Sequence, residues 1–314
     1  MNVSIKNNTI FLTDDFGMHQ VGHVNEQSVL QTWLSKTTQD TIQKVTDTPI
    51  QIQDTLKECA HTPFPQIKHV IAICSGKGGV GKSTCTIQLA HQLQAAGARV
   101  AILDADIYGP SLGTFFPHHT IKPTEKSWPA VTHNGFQLMS MAYLVDKHQA
   151  MMWRGPMAGK ALLQLAFQTQ WQPCDFLLID MPPGTGDIAL TLAQKIPLNG
   201  AVVVTHPHVL SHDDVTRATY MLQQTSVPVL GLLTNGALLS CPHCHKDIHA
   251  FGQDKAQTEI NDLGHFHWSQ DAQDGRSDPA FSKICDRIML AYQSLKPRNK
   301  RAIHIPIKQG DRQP

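Results

Sequence analysis

The chain has 314 residues, enough for one large domain or two small ones, and 41% of them are hydrophobic, which suffices for a substantial core. Its 26 Lys and Arg residues nearly balance its 25 Asp and Glu residues, so the net charge of +1 offers no global attraction to nucleic acid or to an anionic membrane. The seven cysteines are too few for a disulfide scaffold. No leader-like segment opens the chain, and no apolar run reaches the ~18 residues of a membrane helix. We therefore expect a reduced, cytoplasmic protein.

The first 65 residues differ from the rest in being rich in Asn, Gln and Thr. A weak strand is predicted at Thr9–Leu12, and the spacing of apolar residues predicts a helix around Asn25–Gln43. The prolines within 61–65 disfavour helix and indicate a linker. We therefore predict a short N-terminal appendage over 1–65, with no role assigned by its sequence.

From Lys68 onwards, short apolar runs alternate with helix-length segments. The runs are His69–Cys74, Arg99–Leu103, Phe136–Met141, Phe176–Asp180, Ala201–Thr205 and Val229–Thr234. This alternation predicts an α/β domain over 66–295, with a mostly parallel sheet flanked by helices. The first of these helices is expected to end at Gly97 and the last to span Pro279–Leu295. The basic segment 296–314 is expected to be a solvated, disordered tail.

A glycine-rich segment follows the first apolar run and matches the pattern G-x-x-x-x-G-K-[ST]. Its glycines let successive backbone N–H groups face a phosphate, and the start of the next helix adds positive potential. Lys82 is predicted to reach the β- and γ-phosphates and Ser83 to ligate Mg²⁺. The predicted nucleotide-binding residues are Gly76, Lys77, Gly78, Gly79, Val80, Gly81, Lys82, Ser83 and Thr84.

Carboxylates end two of the later apolar runs. Because the carboxyl ends of parallel strands face the ligand crevice of an open sheet, we expect Asp104, Asp106 and Asp180 at the nucleotide. Asp106 is predicted to orient the attacking water, and Asp104 to support Mg²⁺ or the loop. Asp180 ends an apolar strand in the Walker B manner and is expected to hold Mg²⁺ directly or through water. The segment 182–187 that follows is a candidate switch loop.

Cys241 and Cys244 form a C-x-x-C motif, which in a reducing compartment indicates metal or redox chemistry. A zinc site could combine them with two of His243, His245 and His249. A thioredoxin-like pair would need the motif to open a helix, whereas it follows a late strand. Alternatively, two subunits could together supply the four thiolates of an iron–sulfur cluster.

Several segments together resemble the Mrp/ApbC family of iron–sulfur cluster carrier ATPases. Lys77 gives the phosphate loop the deviant Walker A form of the partitioning, arsenical-pump and nitrogenase-iron-protein class. The matching stretches, spread over roughly 65–295, are Gly76–Thr84, Asp104–Ser111, Trp153–Met157, Asp180–Asp187, Cys241–Cys244 and His249–Gly252. The segment His206–Val209 departs from the family's usual T-P-Q-D, His245 stands where the family often has Gly, and 1–65 does not match the N-terminal domain of bacterial relatives.

The resemblance implies a P-loop NTPase of the deviant Walker A class that binds ATP and works as a homodimer. Lys77 would act across the dimer interface, and Asn235 would recognise adenine. Cys241 and Cys244 would bridge a labile [4Fe–4S] cluster between subunits, for delivery to apo iron–sulfur proteins. Cluster-assembly scaffolds are further expected partners, whereas membranes and nucleic acids are not.

A partitioning or positioning ATPase with a structural zinc at the C-x-x-C motif is the alternative hypothesis. Such a protein would need an amphipathic membrane-targeting helix or a DNA-binding patch. The basic C-terminal tail lacks a clear apolar face, which counts against this alternative. The remaining cysteines, which are Cys59, Cys74, Cys85, Cys174 and Cys285, are expected to be isolated or core thiols.

Overall fold

The N-terminal segment forms a five-stranded sheet in the order β1-β2-β3-β4-β5, with one helix before the last strand. Its elements are β1 (Asn2–Lys6), β2 (Thr9–Asp14), β3 (Gly17–Val24), β4 (Val29–Gln31), α1 (Lys36–Thr46) and β5 (Ile50–Ile52). The computed structural model of the chain describes residues 2–6, 9–14, 17–24, 29–31, 33–46, 50–52, 64–117, 121, 124, 128–144, 155–208, 211–240, 246–248 and 260–295. Residues 61–63 of the predicted linker, Cys59 and the tail 296–314 lie outside these residues.

The strand predicted at Thr9–Leu12 is confirmed, but the helix predicted around Asn25–Gln43 is wrong in its first half. Val29 pairs with Val24 of β3 and with Ile50 of β5, so three β-branched residues lie side by side in a strand register. The helix begins only after Ser35, whose Oγ accepts a hydrogen bond from the Thr38 backbone N–H at 3.4 Å.

The second sheet has nine strands and is parallel except at two edge pairs. The main order is β15-β14-β13-β6-β12-β7-β10-β9, and β16 also pairs with β14. The strands are β6 (Ile67–Ser75), β7 (Val100–Asp104), β9 (Val131–His133), β10 (Phe136–Ser140), β12 (Cys174–Asp180), β13 (Gly200–Thr205), β14 (Val229–Ser240), β15 (Asp247–Ile248) and β16 (Asp262–Trp268). A separate two-stranded pair joins β8 (Trp128–Pro129) to β11 (Thr169–Gln170). The predicted α/β fold is confirmed.

Helices cover both faces of the large sheet. They are α2 (Lys82–Ala95), α3 (Leu112–Phe115), α4 (Gly155–Gln168), α5 (Asp187–Lys195), α6 (Ser211–Gln224), α7 (Gln270–Gln273) and α8 (Ser282–Gln293). Alternate residues of β6 point to opposite faces: Ile71 and Ile73 pack in the core under α2 and α8, whereas Val70 and Ala72 pack in the core under α4, α5 and α6. A sheet buried on both sides explains why its strands read as continuous apolar runs.

Helix α8 also packs against the N-terminal sheet. Leu290 of α8 is buried in one cluster with residues of β2, β3 and α1 and of the segment before α1, which are Ile10, Leu12, Val21, Leu34 and Ile42. Asp286, which is fully buried, accepts hydrogen bonds from Ser35 N–H at 2.6 Å, Ser35 Oγ at 3.0 Å and Thr38 Oγ1 at 2.5 Å. Burial raises the pKa of Asp286 to about 6, although these hydrogen bonds oppose the shift.

The predicted division of the chain into segments, with boundaries at 65/66 and at 295/296, stays a prediction.

Four cysteines are buried free thiols, which are Cys74, Cys85, Cys174 and Cys285. Burial raises the pKa of Cys74 and Cys174 to about 12, so neither thiol forms a nucleophilic thiolate near neutral pH. The prediction of core thiols is confirmed for these four residues.

Candidate nucleotide site

The carboxyl ends of β6, β7 and β12 meet at one edge of the large sheet. Asp180 at the end of β12 pairs in register with Asp104 of β7 and with Ile73 of β6. The predicted phosphate loop, residues 76–81, connects β6 to the first residue of α2, Lys82. The sheet therefore brings the loop and both strand-end carboxylates to one edge, as the sequence predicts.

Two glycines of the loop are required by its geometry. Gly81 precedes α2 with φ of 75°, and a Cβ at this position would lie 2.1 Å from Asn235 Nδ2. Gly76 approaches α6 so closely that its Cβ would lie 2.1 Å from the backbone oxygen of Asp214. A side chain at Gly76 would meet backbone, and one at Gly81 would meet the Asn235 amide from a left-handed residue, so both positions favour glycine. The loop is thus fixed between α6 on one side and Asn235 on the other.

Lys82, Ser83 and Asp180 form one hydrogen-bonded group at the start of α2. Lys82 Nζ donates to Asp180 Oδ1 at 2.5 Å, and Ser83 Oγ donates to Asp180 Oδ2 at 2.5 Å. Thr86 Oγ1, one helical turn on, lies 3.3 Å from Asp180 Oδ1. Burial alone would lower the pKa of Lys82, but the charge and hydrogen bond of Asp180 raise it above its ordinary value. Lys82 is therefore a buried ammonium group whose charged form is favoured by Asp180.

The oxygens of Ser83 and Asp180 fit a magnesium ion. Mg²⁺ takes hydroxyl, carboxylate and phosphate oxygens, and this pair presents two of them side by side at the helix N-terminus. The predicted ligands Ser83 and Asp180 are thus brought together.

Asp104 is buried behind this group. Its carboxylate accepts hydrogen bonds from Asp106 N–H at 3.1 Å, Leu112 N–H at 3.0 Å and Ser140 Oγ at 3.1 Å. Burial, with the nearby charge of Asp180, raises the pKa of Asp104 to about 7. These contacts anchor the loop that follows β7, and the predicted support of Mg²⁺ or of the phosphate loop by Asp104 stays a prediction.

Asp106 lies half-buried at the start of that loop. Its Oδ1 accepts hydrogen bonds from the backbone N–H groups of Tyr108 at 3.2 Å and Gly109 at 3.1 Å. Its charge contributes to the raised pKa of Lys82, which indicates that the carboxylate faces the same site. Its predicted role towards water stays a prediction.

Lys77 is bound within its own chain. Its Nζ donates to Ser211 Oγ at 3.0 Å and lies 3.8 Å from Asp214 Oδ2, both at the first turn of α6. Asp214 also pairs with Arg217. The predicted action of Lys77 across a subunit interface therefore requires that these contacts be exchanged.

Asn235 reaches the loop from β14. Its Nδ2 donates to Val80 O at 2.9 Å, while its Oδ1 is buried and has no hydrogen-bond partner among the described residues. The segment after β13, which departs from the family pattern, also contacts this region: His206 lies with Nδ1 2.7 Å from Asn235 O and Nε2 3.2 Å from Gly79 O.

The other predicted positions fall in two groups. Gly78, Gly79 and Val80 lie in the loop between β6 and α2, and Thr84 lies in the first turn of α2. Cys241, Cys244, His243, His245 and His249 lie outside the described residues. Ser240, the last residue of β14, immediately precedes Cys241.

Sequence reasoning missed several side chains that hold the site. Thr86 could have been found from its spacing of four residues from Lys82 on a predicted helix. Ser140, Ser211 and Asp214 carry no local signal, because each reaches the site through a contact distant in sequence. His206 was visible only as a departure from a family pattern.

A parallel sheet with this loop, lysine and strand-end carboxylate defines the class of P-loop NTPases. The family described as "ParA: NUBPL iron-transfer P-loop NTPase" matches residues 66–278. Since this match covers well over half of the chain, the protein belongs to that family. The predicted resemblance is thereby confirmed.

Similar proteins include an iron–sulfur cluster carrier protein of Pseudomonas fragi, which is 49% identical over 60% of this chain and 67% of its own length. The iron–sulfur cluster carrier protein of Escherichia coli K12 is 46% identical over 65% of this chain and 56% of its own length. An iron–sulfur cluster transfer protein NUBPL of Dictyostelium discoideum is 40% identical over 63% of this chain and 62% of its own length. The match thus spans less than two thirds of the E. coli and Dictyostelium proteins.

A solved structure of a nucleotide-binding protein from Archaeoglobus fulgidus, in complex with ADP, superimposes with a TM-score of 0.57 at 30% identity. The superposition covers 75% of this chain and 91% of that protein. Across the described ranges, none of the helices combines the length and hydrophobicity that crossing a membrane requires.

Proposed function

We propose that this protein is an ATP-binding, slowly ATP-hydrolysing homodimer that holds a labile [4Fe–4S] cluster and transfers it to apo iron–sulfur proteins. The observation that carries the proposal is the course of β14. This strand contains Asn235, which contacts the phosphate loop, and it ends at Ser240, directly before Cys241. One strand, with a register irregularity after Asn235, therefore leads along the chain from the nucleotide site to the residue before the cysteine motif.

Lys82 binds the β- and γ-phosphates of ATP, exchanging Asp180 for phosphate oxygens. Ser83 and Asp180 hold Mg²⁺, which neutralises phosphate charge when bound. Asp106 orients the attacking water from the loop after β7, and Asp104 anchors that loop. The similarity to an ADP-bound nucleotide-binding protein supports this assignment.

Asn235 recognises the adenine base. Its Oδ1 is a buried acceptor without a partner among the described residues, and such a group is costly unless a ligand satisfies it. The exocyclic amine of adenine is a donor of the required kind. Its Nδ2 is held by Val80 O, so the acceptor is already oriented.

Lys77 acts on the nucleotide of the partner subunit after leaving Ser211 and Asp214. A dimer is also what the cysteines require, because each chain supplies two thiolates through Cys241 and Cys244 and a [4Fe–4S] cluster takes four. ATP and ADP would favour different positions of Lys77 and of the loop 182–187, and hence different affinities for the cluster.

Anaerobic reconstitution with iron and sulfide tests the proposal. We expect about one cluster per dimer in the wild-type protein, seen by thiolate-to-iron absorbance and by iron and sulfide analysis, and transfer to an apo-ferredoxin. Cys241→Ala should lose this cluster, whereas Cys174→Ala, which removes a core thiol of β12, should retain it. Equal cluster binding by Cys241→Ala would overturn the proposal.

Metal analysis of anaerobically purified protein separates the proposal from its alternative. One zinc per monomer without iron would favour a partitioning or positioning ATPase with a structural zinc, in which two of His243, His245 and His249 complete the ligand set. We propose that neither membranes nor nucleic acids are partners, and that the protein works in a reducing, cytoplasmic setting with cluster-assembly scaffolds.

A further inference from the structure

We propose that His206 is a positioning residue that fixes the base-recognition part of the nucleotide site to the phosphate loop. The inference rests on the nucleotide-binding part of the proposed function. It concerns one side chain in the connection between β13 and α6, which contacts both parts of the site at once.

The first contact is to a backbone carbonyl of β14 that lies beyond the end of β13. β13 and β14 run parallel, and their register ends at the pair Thr205 and Thr234. β14 continues beyond this point, so its next carbonyl, that of Asn235, lies past the end of the neighbouring strand. Nδ1 of His206 lies 2.7 Å from this carbonyl oxygen, within hydrogen-bond distance.

The second contact ties the same ring to the phosphate loop. Nε2 of His206 lies 3.2 Å from the carbonyl oxygen of Gly79, which has φ of 77° in the left-handed region. Both partners are carbonyl oxygens, which only accept, so every hydrogen bond here is donated by the imidazole. The neutral ring donates to one oxygen at a time and the imidazolium to both.

The geometry gives His206 a function distinct from that of the phosphate-binding residues. The Asn235 side chain donates to Val80 O of the loop, and the His206 ring lies between the carbonyl oxygens of Asn235 and Gly79, within hydrogen-bond distance of both. The separation between the buried Asn235 Oδ1 and the loop is therefore set by two links. A ligand that spans both parts, a purine nucleoside di- or triphosphate, gains from this fixed separation, whereas a bare polyphosphate does not.

The test compares the affinities of ATP and inorganic tripolyphosphate by calorimetry. In His206→Phe, which keeps a ring and removes both donors, we expect ATP binding to weaken about fivefold to tenfold, as for one or two lost hydrogen bonds, and tripolyphosphate binding to change less than about twofold. His206→Gln, whose amide restores an N–H donor, should recover part of the loss.

His208→Gln is the matched control, because His208 lies in the same connection and its backbone N–H donates to the carbonyl oxygen of His206, a hydrogen bond that the substitution keeps. An equal loss of affinity for both ligands, or none for either, would overturn the role of His206. If His206→Phe does not fold, an unchanged ratio of the two affinities in His206→Asn overturns it equally. Failure of the wild-type protein to bind ATP would instead count against the proposed function.

Discussion

At the scale of single residues, the candidate site is held by charged groups that have exchangeable partners. Lys82 pairs with Asp180 where a phosphate would otherwise be its partner, and Lys77 pairs with Ser211 and Asp214 of α6. Both lysines are thus kept near the loop before nucleotide binds. Because the Lys77 side chain is partly exposed, at 36%, its pairing with Asp214 is weaker than the buried pairing of Lys82.

Asp214→Asn should release Lys77 from its intrachain ion pair. In the proposed dimer Lys77 leaves α6 to reach the partner subunit, so we expect ATP-dependent dimerisation to strengthen about twofold to fivefold, the effect of one partly exposed ion pair. Sedimentation equilibrium with a non-hydrolysable ATP analogue measures the dimer affinity.

Asp213→Asn is the control for that experiment, because Asp213 is an exposed carboxylate of the same helical turn. The same gain in both variants would indicate a general effect of removing negative charge. A weaker dimer in Asp214→Asn would mean that Asp214 itself contributes to the interface.

The residues of the phosphate loop and the strand-end carboxylates could be predicted because their spacing is dictated by local chemistry. A loop that wraps phosphate needs Gly79 and Gly81 where the backbone turns left-handed, and these positions are visible in sequence. Asp214 and His206 could not be assigned in this way. Their contacts depend on where α6 and β14 lie in the folded sheet.

At the scale of elements, the junction between the loop and α2 depends on one glycine. Gly81→Ala would place a Cβ against Asn235 Nδ2 in a residue with φ of 75°. We expect a loss of at least about 1 kcal/mol in the free energy of unfolding and a loss of ATP binding, measured by urea denaturation and calorimetry.

Gly186→Ala provides the comparison, because Gly186 has φ of −72° and no atom within 4 Å of its added Cβ. This variant should unfold within about 0.5 kcal/mol of the wild-type protein. If both variants are equally stable, the loop moves freely away from Asn235 and the fixed geometry described above is wrong.

Two elements differ from their predictions for physical reasons. β14 continues from Val229 to Ser240, although the pair Asn235-Gly236 is typical of a turn. Gly236 has φ of 71°, and the pairing with β16 shifts register after Asn235. The backbone is therefore irregular at this position, but β14 continues through it and does not end in a turn. β4 lies within the predicted helix because Val29, Trp33 and Leu34 have the sequence spacing of a helical stripe.

At the scale of the whole molecule, α8 links the N-terminal sheet to the large sheet through a buried carboxylate. The pKa of Asp286 is raised by burial to about 6, whereas an unfolded Asp titrates near ~3.9. Between these values the folded protein binds more protons than the unfolded chain. The contribution of Asp286 to stability is therefore fully present below about pH 4 and is lost as the pH rises through 6.

Asp286→Asn should remove this dependence. On going from pH 7 to pH 5, the wild-type protein should gain about 1 kcal/mol of unfolding free energy relative to Asp286→Asn, measured by urea denaturation at each pH. Asp40→Asn, which changes an exposed carboxylate of α1, should follow the wild-type pH dependence. If the difference in unfolding free energy between the wild-type protein and Asp286→Asn is the same at both pH values, the raised pKa of Asp286 is contradicted.

The shared helix also determines what would happen if the polypeptide were severed. A break engineered between Ile52 and Phe64 would leave Leu290 in the N-terminal apolar cluster, Asp286 bonded to Ser35 and Thr38, and Trp33 in edge-to-face contact with Phe176 of β12. Because separating the two pieces would expose these buried groups to water, they should copurify and reassemble when expressed as separate polypeptides. The N-terminal sheet is thereby a candidate for fragment complementation, with α8 as the common surface.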